Sequence, residues 1–394
     1  TRRPKSSRKK SNFEGSPHSR LGAVIFVCRN KHMKEFDEVF VDKTKYGTKL
    51  KTSDYKECGK YPIIDQGQET IAGYTDAEDG VFKEVPVIIF GDHTRVIKYV
   101  DKPFFLGADG VKVLRSKYLD ANYRYLFYAL LDLKIPNTGY NRHFKWLKEA
   151  KIQYPTLKQQ EKVVGILDKI EKVIAARNKQ LNALDELIQA RFVEMFGLPL
   201  DKSKANMRFT DCVEFNPKKS EVKDMQDVEV SFVPMECVGV DGSFNIRENG
   251  PVSNYYKGYT YFRDGDVLLA KITPCFENGK AAIAEGCKNG IGFGTTEFHV
   301  ARPKAGVSNS YWIKYMLKND SVHELATINM TGSAGQKRIQ TPFFDKLTIY
   351  CPPIELQNQF ADFVNQVHKS KVEIQKALEK TQLLFDSLMQ QYFG

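Results

Sequence analysis

Residues 154–197 read YPTLKQQEKVVGILDKIEKVIAARNKQLNALDELIQARFVEMFG, and residues 351–394 read CPPIELQNQFADFVNQVHKSKVEIQKALEKTQLLFDSLMQQYFG. The offset is 197 positions, half of the 394-residue chain. Laid over each other without gaps, the two stretches share Pro155/Pro352, Gln160/Gln357, Lys172/Lys369, Lys179/Lys376, Leu181/Leu378, Leu187/Leu384 and the closing Phe196-Gly197/Phe393-Gly394. Eight identities in 44 say little alone. The common phase says more: Val163, Leu167, Ile170, Ile174, Arg177, Leu181, Leu184, Ile188, Arg191 and Met195 fall on Phe360, Val364, Val367, Lys371, Ile374, Leu378, Thr381, Phe385, Leu388 and Tyr392. Steps of four and three make a coiled-coil seam, and two unrelated amphipathic helices rarely keep phase across a long globular insert. The chain therefore reads as one unit written twice.

The segments before each long helix follow one order. From Met33, short stretches such as YPIID, EVPVIIFGD, TRVIKYV and VKVLRS alternate with Gly, Asp and Pro, the rhythm of short strands. A helix is predicted over residues 118–133, with Leu119, Tyr123, Leu126, Phe127, Leu130 and Leu131 on one face and Pro136 ending it. The loop NTGYNRHFKWLK at 137–148 follows and contains no acid. The second half repeats this with the hairpin FRDGDVLLAKITPCFENGKAAIAEG, the Gly-rich IGFGTTEFHVARP, the helix SNSYWIKYMLKNDSVHEL and the acid-free loop NMTGSAGQKRIQTPFF. The predicted fold class is α+β: two β-rich domains (33–153 and 198–350) and two long helices (154–197 and 351–394). The helices form an antiparallel coiled coil, and the internal tandem repeat has pseudo-twofold symmetry. At 1.5 Å per residue each helix reaches about 60 Å. Polar seam residues, Arg177, Arg191, Lys371 and Thr381, fix register and orientation.

Composition narrows the class. No apolar run approaches the roughly 18 to 20 residues of a membrane span. The seven cysteines include no CxxC pair, which argues for a reducing cytoplasm rather than a disulfide framework, and the seven histidines show no ligand spacing, so no metal is expected. Of the net charge of +11, residues 1–32 supply +8, from nine basic residues and Glu14; the remainder, with 50 basic and 47 acidic residues, supplies +3. Residues 1–32 read as a non-native or disordered leader before a start at Met33, the alternative being a flexible basic arm. Any phosphate binding by the body must come from local patches.

Enzymatic motifs are missing where they would be needed. Asn216-Pro217-Lys218 lacks the second proline and the aromatic of an amino-methyltransferase motif, Glu221-Val222-Lys223 is a weak nuclease fragment in a charged stretch, and no GxxxxGK[ST] loop occurs. No cofactor is expected.

The paired helix starts, Pro155-Thr156-Leu157-Lys158-Gln159-Gln160 and Pro352-Pro353-Ile354-Glu355-Leu356-Gln357, the shared Phe-Gly endings, and the segments DGDVLLAKITPCFENGKAAIA and GFGTTEFHVARP resemble the specificity subunits of type I restriction-modification systems. The segment FGDHTRVIKYVDKPFFLGADG fits that family more loosely. The resemblance covers essentially residues 33–394. It implies a non-catalytic subunit with two target recognition domains that binds double-stranded DNA. Its helices would dock DNA methyltransferase (modification) subunits and, through them, ATP-dependent restriction subunits.

Two separated, different readers on a rigid spacer suit a bipartite DNA target. Phosphate contact needs Lys, Arg and backbone amides, and base reading needs Asn, Gln and Arg in the major groove. The candidate DNA-binding residues in the first domain are Gln66, Gln68, Tyr74, Arg95, Asn141, Arg142, His143 and Lys145. In the second they are Lys271, Thr273, Asn278, Lys280, Ser333, Gln336, Lys337 and Arg338. Tyr140, Phe144 and Trp146 are read as anchors for the following strand ahead of stacking on a base. Val164, Val173, Leu187 and Phe192, apolar but outside the seam, are candidates for partner contact, with packing against the recognition domains as the competing reading. A scaffold with two protein-binding modules is the alternative function.

Overall fold

The computed structural model describes residues 32–394 except Ala108 and Ala334, so the leader lies outside the described residues apart from His32. Two compact units divide the described residues: 32–176 with 378–394, and 177–377. Each of the two long helices, α4 (Leu157–Phe196) and α10 (Ile354–Tyr392), contributes a segment to both.

In the first unit, β1 (Met33–Glu35) leads into the four-residue helix α1 (Phe36–Val39) and β2 (Phe40–Asp42). Next come β3 (Tyr61–Ile64), β4 (Gly73–Thr75), β5 (Val87–Gly91), β6 (Ile97–Val100), β7 (Phe105–Leu106) and β8 (Val111–Ser116). The helices α2 (Tyr123–Leu131) and α3 (Phe144–Lys148) and strand β9 (Lys151–Gln153) complete it. The main sheet runs β2-β8-β5-β6, a second runs β4-β3-β7, and β1 pairs with β9 just ahead of α4. Every residue of β5 is buried, as its unbroken VIIFG run requires of a central strand.

The second unit is built on the same plan. Strand β10 (Met207–Arg208), α5 (Phe209–Cys212) and β11 (Val213–Phe215) open it. They are followed by β12 (Glu229–Val233), β13 (Glu248–Pro251), α6 (Val252–Tyr255), β14 (Thr260–Arg263), β15 (Val267–Ala270), β16 (Ala281–Ile283), β17 (Ile291–Gly294) and β18 (Phe298–Pro303). Helices α7 (Ser310–Leu317), α8 (Asp320–Ile328) and α9 (Thr341–Lys346) and strand β19 (Thr348–Ile349) lead to α10. The main sheet β11-β18-β15-β16 repeats β2-β8-β5-β6 strand for strand, and β10 pairs with β19 as β1 does with β9. In the side sheets the parallel pair β3–β7 is matched by β12–β17, to which the second unit adds β14.

Within each unit the long-helix segments run antiparallel. In the first, Leu167 is buried with Met389 and Tyr392, and Val163 and Val164 from one helix and Phe385, Leu388 and Phe393 from the other pack against that cluster. In the second, Phe192 and Phe196 close on Phe360, their ring centroids 5.5 and 5.4 Å from it. The polar seam residues make polar contacts there: Arg177 Nη1 donates to the carbonyl of Ala377, and Lys371 pairs with Asp185 at 2.6 Å.

Two helix expectations need correction. The helix predicted over 118–133 starts at Tyr123, because Asn122 caps it by accepting from the Tyr125 amide at 3.0 Å, and Leu119 is fully exposed ahead of it. The helix SNSYWIKYMLKNDSVHEL is two helices, since Asn319 caps a new one by accepting from Ser321 N at 3.2 Å. The loop at 137–148 also contains the short helix α3.

Candidate nucleic-acid interface

In the first unit the candidate loops meet at one end of the main sheet, where β5 ends and β8 begins. Gln66 stitches them together: its Nε2 donates to the Asp109 carbonyl at 3.0 Å, its Oε1 accepts from His93 N at 3.1 Å, and its own carbonyl accepts from Thr94 Oγ1 at 2.6 Å. Asp92 binds the next loop, its carbonyl accepting from His143 N at 2.7 Å and its carboxylate from Phe144 N at 2.8 Å. The buried Lys98 holds the loop of Gln68, donating to the Glu69 carbonyl at 2.5 Å and to Asp65 at 3.3 Å. Gln68, Asn141, Arg142 and Lys145 are exposed around this end, and Arg95 sits beneath it with positive φ, donating to the Ile135 carbonyl at 3.3 Å.

His143 is 0% exposed, its Nδ1 3.0 Å from the Asp92 carbonyl, so it is a strut inside the loop and not a DNA contact. Tyr74 lies on β4, bonded through its backbone to Lys56, and no hydrogen bond ties it to the cluster. Of the three aromatic residues, Phe144 packs on Phe36 and Phe90 as an anchor, and Trp146 is half-buried under Lys145. Tyr140 departs from the anchor reading: it is 88% exposed and stacks on His93 with ring centroids 4.7 Å apart.

The corresponding end of the second unit gathers Lys271, Thr273, Lys337 and Arg338. Ile339 N donates to the Lys271 carbonyl at 2.9 Å, while Lys271 N donates to the Glu297 carbonyl at 2.9 Å. Thr273 bonds the Lys337 carbonyl through its amide at 2.9 Å and its hydroxyl at 3.2 Å. Beneath this layer lies His299. Its Nε2 is 2.9 Å from the Ile339 carbonyl and its Nδ1 is 3.3 Å from Asn216 Nδ2, a pairing that suits a neutral ring protonated at Nε2. Burial pushes its pKa down to about 4. Burial also lowers Lys271, which is half-covered and faces Glu297 and Arg338. Asn278, Ser333, Gln336 and Lys337 are exposed, whereas Lys280 donates to the Met235 carbonyl at 3.1 Å.

Two acids at these ends escaped the sequence reading. Glu297 clamps Arg338, and Asp109, in the loop ahead of β8 in the first unit, pairs with Lys49 at 2.6 Å; Lys49 and, more weakly, Arg142 hold its carboxyl below the usual range. In the alignment of GADGV with GTTEF, Asp109 falls on Thr296 and Glu297 on Gly110, so the two acids sit one position apart ahead of the second main-sheet strand. Glu221, in the fragment considered for nuclease chemistry, is taken up by Arg302 at 3.0 Å, Arg263 at 3.0 Å and the Tyr261 hydroxyl at 2.9 Å.

The candidate partner residues separate. Phe192 is 1% exposed inside the second unit's core, so it is corrected from partner contact to core. Val164 is half-buried against the first unit's core. Val173 and Leu187 remain open at 42% and 46%.

The family described as "Type I restriction modification DNA specificity domain" matches residues 30–186 and again 213–383, and the chain belongs to it, carrying two copies. The chain is 40% identical over 188 residues to the Type I restriction enzyme EcoAI specificity subunit of Escherichia coli, covering 46% of this chain and 31% of that protein. It is also 46% identical over 148 residues to the EcoEI specificity subunit of the same organism, covering 36% and 24%. The chain thus spans less than a third of the length of these two curated relatives. The S subunit of a Type-I restriction-modification system from M. genitalium shares the fold, with a TM-score of 0.52 at 15% identity over 93% of this chain and 97% of that one. Among the described residues no helix is long and apolar enough to cross a membrane.

Proposed function

We propose that this chain is the DNA-reading subunit of a type I restriction-modification complex, with no chemistry of its own. Each unit reads one half of a bipartite duplex target with the loop end of its main sheet. The paired helices set the distance between half-sites and present Val173 and Leu187 to modification subunits, through which ATP-dependent restriction subunits are recruited. The observation that carries this reading is the repetition of one reader plan with different exposed side chains: Gln68, Asn141, Arg142 and Lys145 in one unit, and Asn278, Ser333, Gln336 and Lys337 in the other. One scaffold with two sets of polar ends is what two unlike half-sites require.

The test is a domain exchange. Replacing residues 33–153 with the corresponding domain of a relative, in cells that also make the cognate modification subunit, is expected to change the methylated sequence at one half-site and leave the other as it was. A change in both half-sites, or methylation that ignores this chain, refutes the assignment.

A further inference from the structure

Arg338 is held at three of its nitrogens. Its Nε donates to Glu297 Oε2 at 3.0 Å and Oε1 at 3.2 Å, its Nη2 donates to Oε1 at 3.0 Å, and its Nη1 donates to the Gln336 carbonyl at 3.1 Å. A guanidinium has five N–H bonds. These partners occupy one on each nitrogen, so each terminal nitrogen keeps one N–H with no partner among the described residues. The side chain is 35% exposed, at the end of the sheet where the candidate loops gather.

The carboxylate is the informative part. A residue meant only to neutralise phosphate gains nothing from an acid beside it, since a carboxylate near the backbone repels it and weakens binding to every sequence. An acid does help an arginine that must read a base. It fixes a side chain carrying about 2 kcal/mol of rotamer entropy and leaves the two terminal N–H groups to match two adjacent acceptors. In the major groove that pair of acceptors is guanine O6 and N7.

We infer that Arg338 reads a guanine in the half-site bound by the second unit and that Glu297 is its positioning residue. The first unit gives the contrast. Gly110 holds the corresponding place, so no carboxylate stands there; Asp109 before it hydrogen-bonds Lys49, and Arg142 reaches Asp109 through charge alone. Arg142 is thus left to follow a phosphate. The inference rests on the DNA-reading assignment above, and one experiment separates the two.

Full-length chain is incubated with a library of randomised duplexes, and the bound fraction is sequenced at several salt concentrations. Wild type is expected to select a split motif with a guanine in one half. Arg338→Ala and the charge-preserving Arg338→Lys should both lose selection at that guanine, by roughly 10-fold or more, with the other positions kept. Glu297→Gln should lower the same preference several-fold while binding unrelated duplex at least as tightly, a combination that a merely structural ion pair would not give. Uniform weakening by Arg338→Ala with a salt slope shallower by about one makes Arg338 a phosphate contact and overturns the inference. Unchanged guanine selection in Glu297→Gln overturns the positioning role. If wild type selects no motif, the DNA-reading assignment itself falls.

Discussion

The two recognition units share a strand plan but fasten it to their helices differently. In the first, Asn122 caps α2, and Arg124 two residues later bonds Asp168 at 2.8 Å and the Glu171 carboxylate at 2.5 Å on α4, with the Tyr128 hydroxyl donating to Asp168 at 2.7 Å. In the second, Asn309 caps α7, and the residue in Arg124's place is Tyr311, whose hydroxyl donates to Asn365 on α10. Asp168 and Asn365 are equivalent across the 197-residue repeat. One scaffold thus uses an ion-pair cluster where its copy uses a neutral hydrogen bond. The joint between recognition domain and helix needs a satisfied polar pair and does not specify which.

The contrast can be tested by changes that weaken one unit and spare the other, and the two tryptophans, Trp146 in the first and Trp312 in the second, report on them separately. The largest effect should come from acid. His299 is pushed down to about 4, so its stabilising neutral form is fully present above its ordinary value of 6.5 and is lost as pH falls from 6.5 toward 4. The second unit should lose about 3 kcal/mol over that window. The matching place in the first unit is Lys112, which pairs with Asp42 at 3.3 Å. Burial works to raise Asp42, but the bonds from Thr44 and the charge of Lys112 outweigh it and hold it below 3.8, so that contribution fails only at lower pH. Thermal melts followed at the two tryptophans between pH 7 and pH 4 should show Trp312 responding first; the reverse order breaks the comparison.

Next are the two glutamines at the helix starts. Gln357 is buried, accepts from Asn309 N at 3.0 Å and donates to the carbonyls of Val307 at 2.9 Å and Pro352 at 2.8 Å. Gln160 donates to the Pro155 carbonyl at 2.9 Å, and its Oε1 has no partner among the described residues. Gln357→Met should cost about 2 to 3 kcal/mol in urea unfolding, because it strands three backbone groups, and Gln160→Met about 1 kcal/mol or less. Equal losses would mean that the repeat treats both glutamines alike.

The last change is a gain. Lys314 is buried where the first unit has Phe127, and burial together with the nearby Lys318 and Lys371 lowers its pKa to about 8, against the pull of Asp241 and Glu285. At neutral pH the ammonium is charged in both folded and unfolded chains and bears its full burial penalty when folded. Lys314→Met should therefore raise stability by about 1 to 2 kcal/mol, seen as a higher urea midpoint. A lower midpoint would mean that its charge pairs outweigh the burial cost.

The seam, the duplication and the order of parts were legible in the sequence because helix period and strand rhythm are local signals repeated at a fixed offset. The helix boundaries at Asn122 and Asn319 were misread because a capping side chain interrupts a pattern whose apolar spacing continues through it. The candidate interface was legible only as loops. His143 looked like a reader because it sits among Asn141, Arg142 and Lys145, yet its hydrogen bond partner, Asp92, is 51 residues away. Phe192 looked free because it lies off the strict heptad seam, whereas Phe196 and Phe360 close around it. Glu297 was passed over because an acid argues against DNA contact unless its bond to Arg338 is known.

The inner face of α2 ties the domain at 33–153 to the C-terminal helix. Tyr125 packs on Phe393 with ring centroids 5.3 Å apart, and Tyr128 on Phe385 at 6.2 Å, so the core of the first unit is completed by residues some 260 positions downstream. A foreign cassette inserted at 33–153 inherits that distant helix unchanged. Its loops are at liberty to diverge, but its helix must arrive already matched to Phe385, Phe393 and Asp168. A donor domain whose helix breaks this contact set leaves the core of the first unit open, however its loops differ.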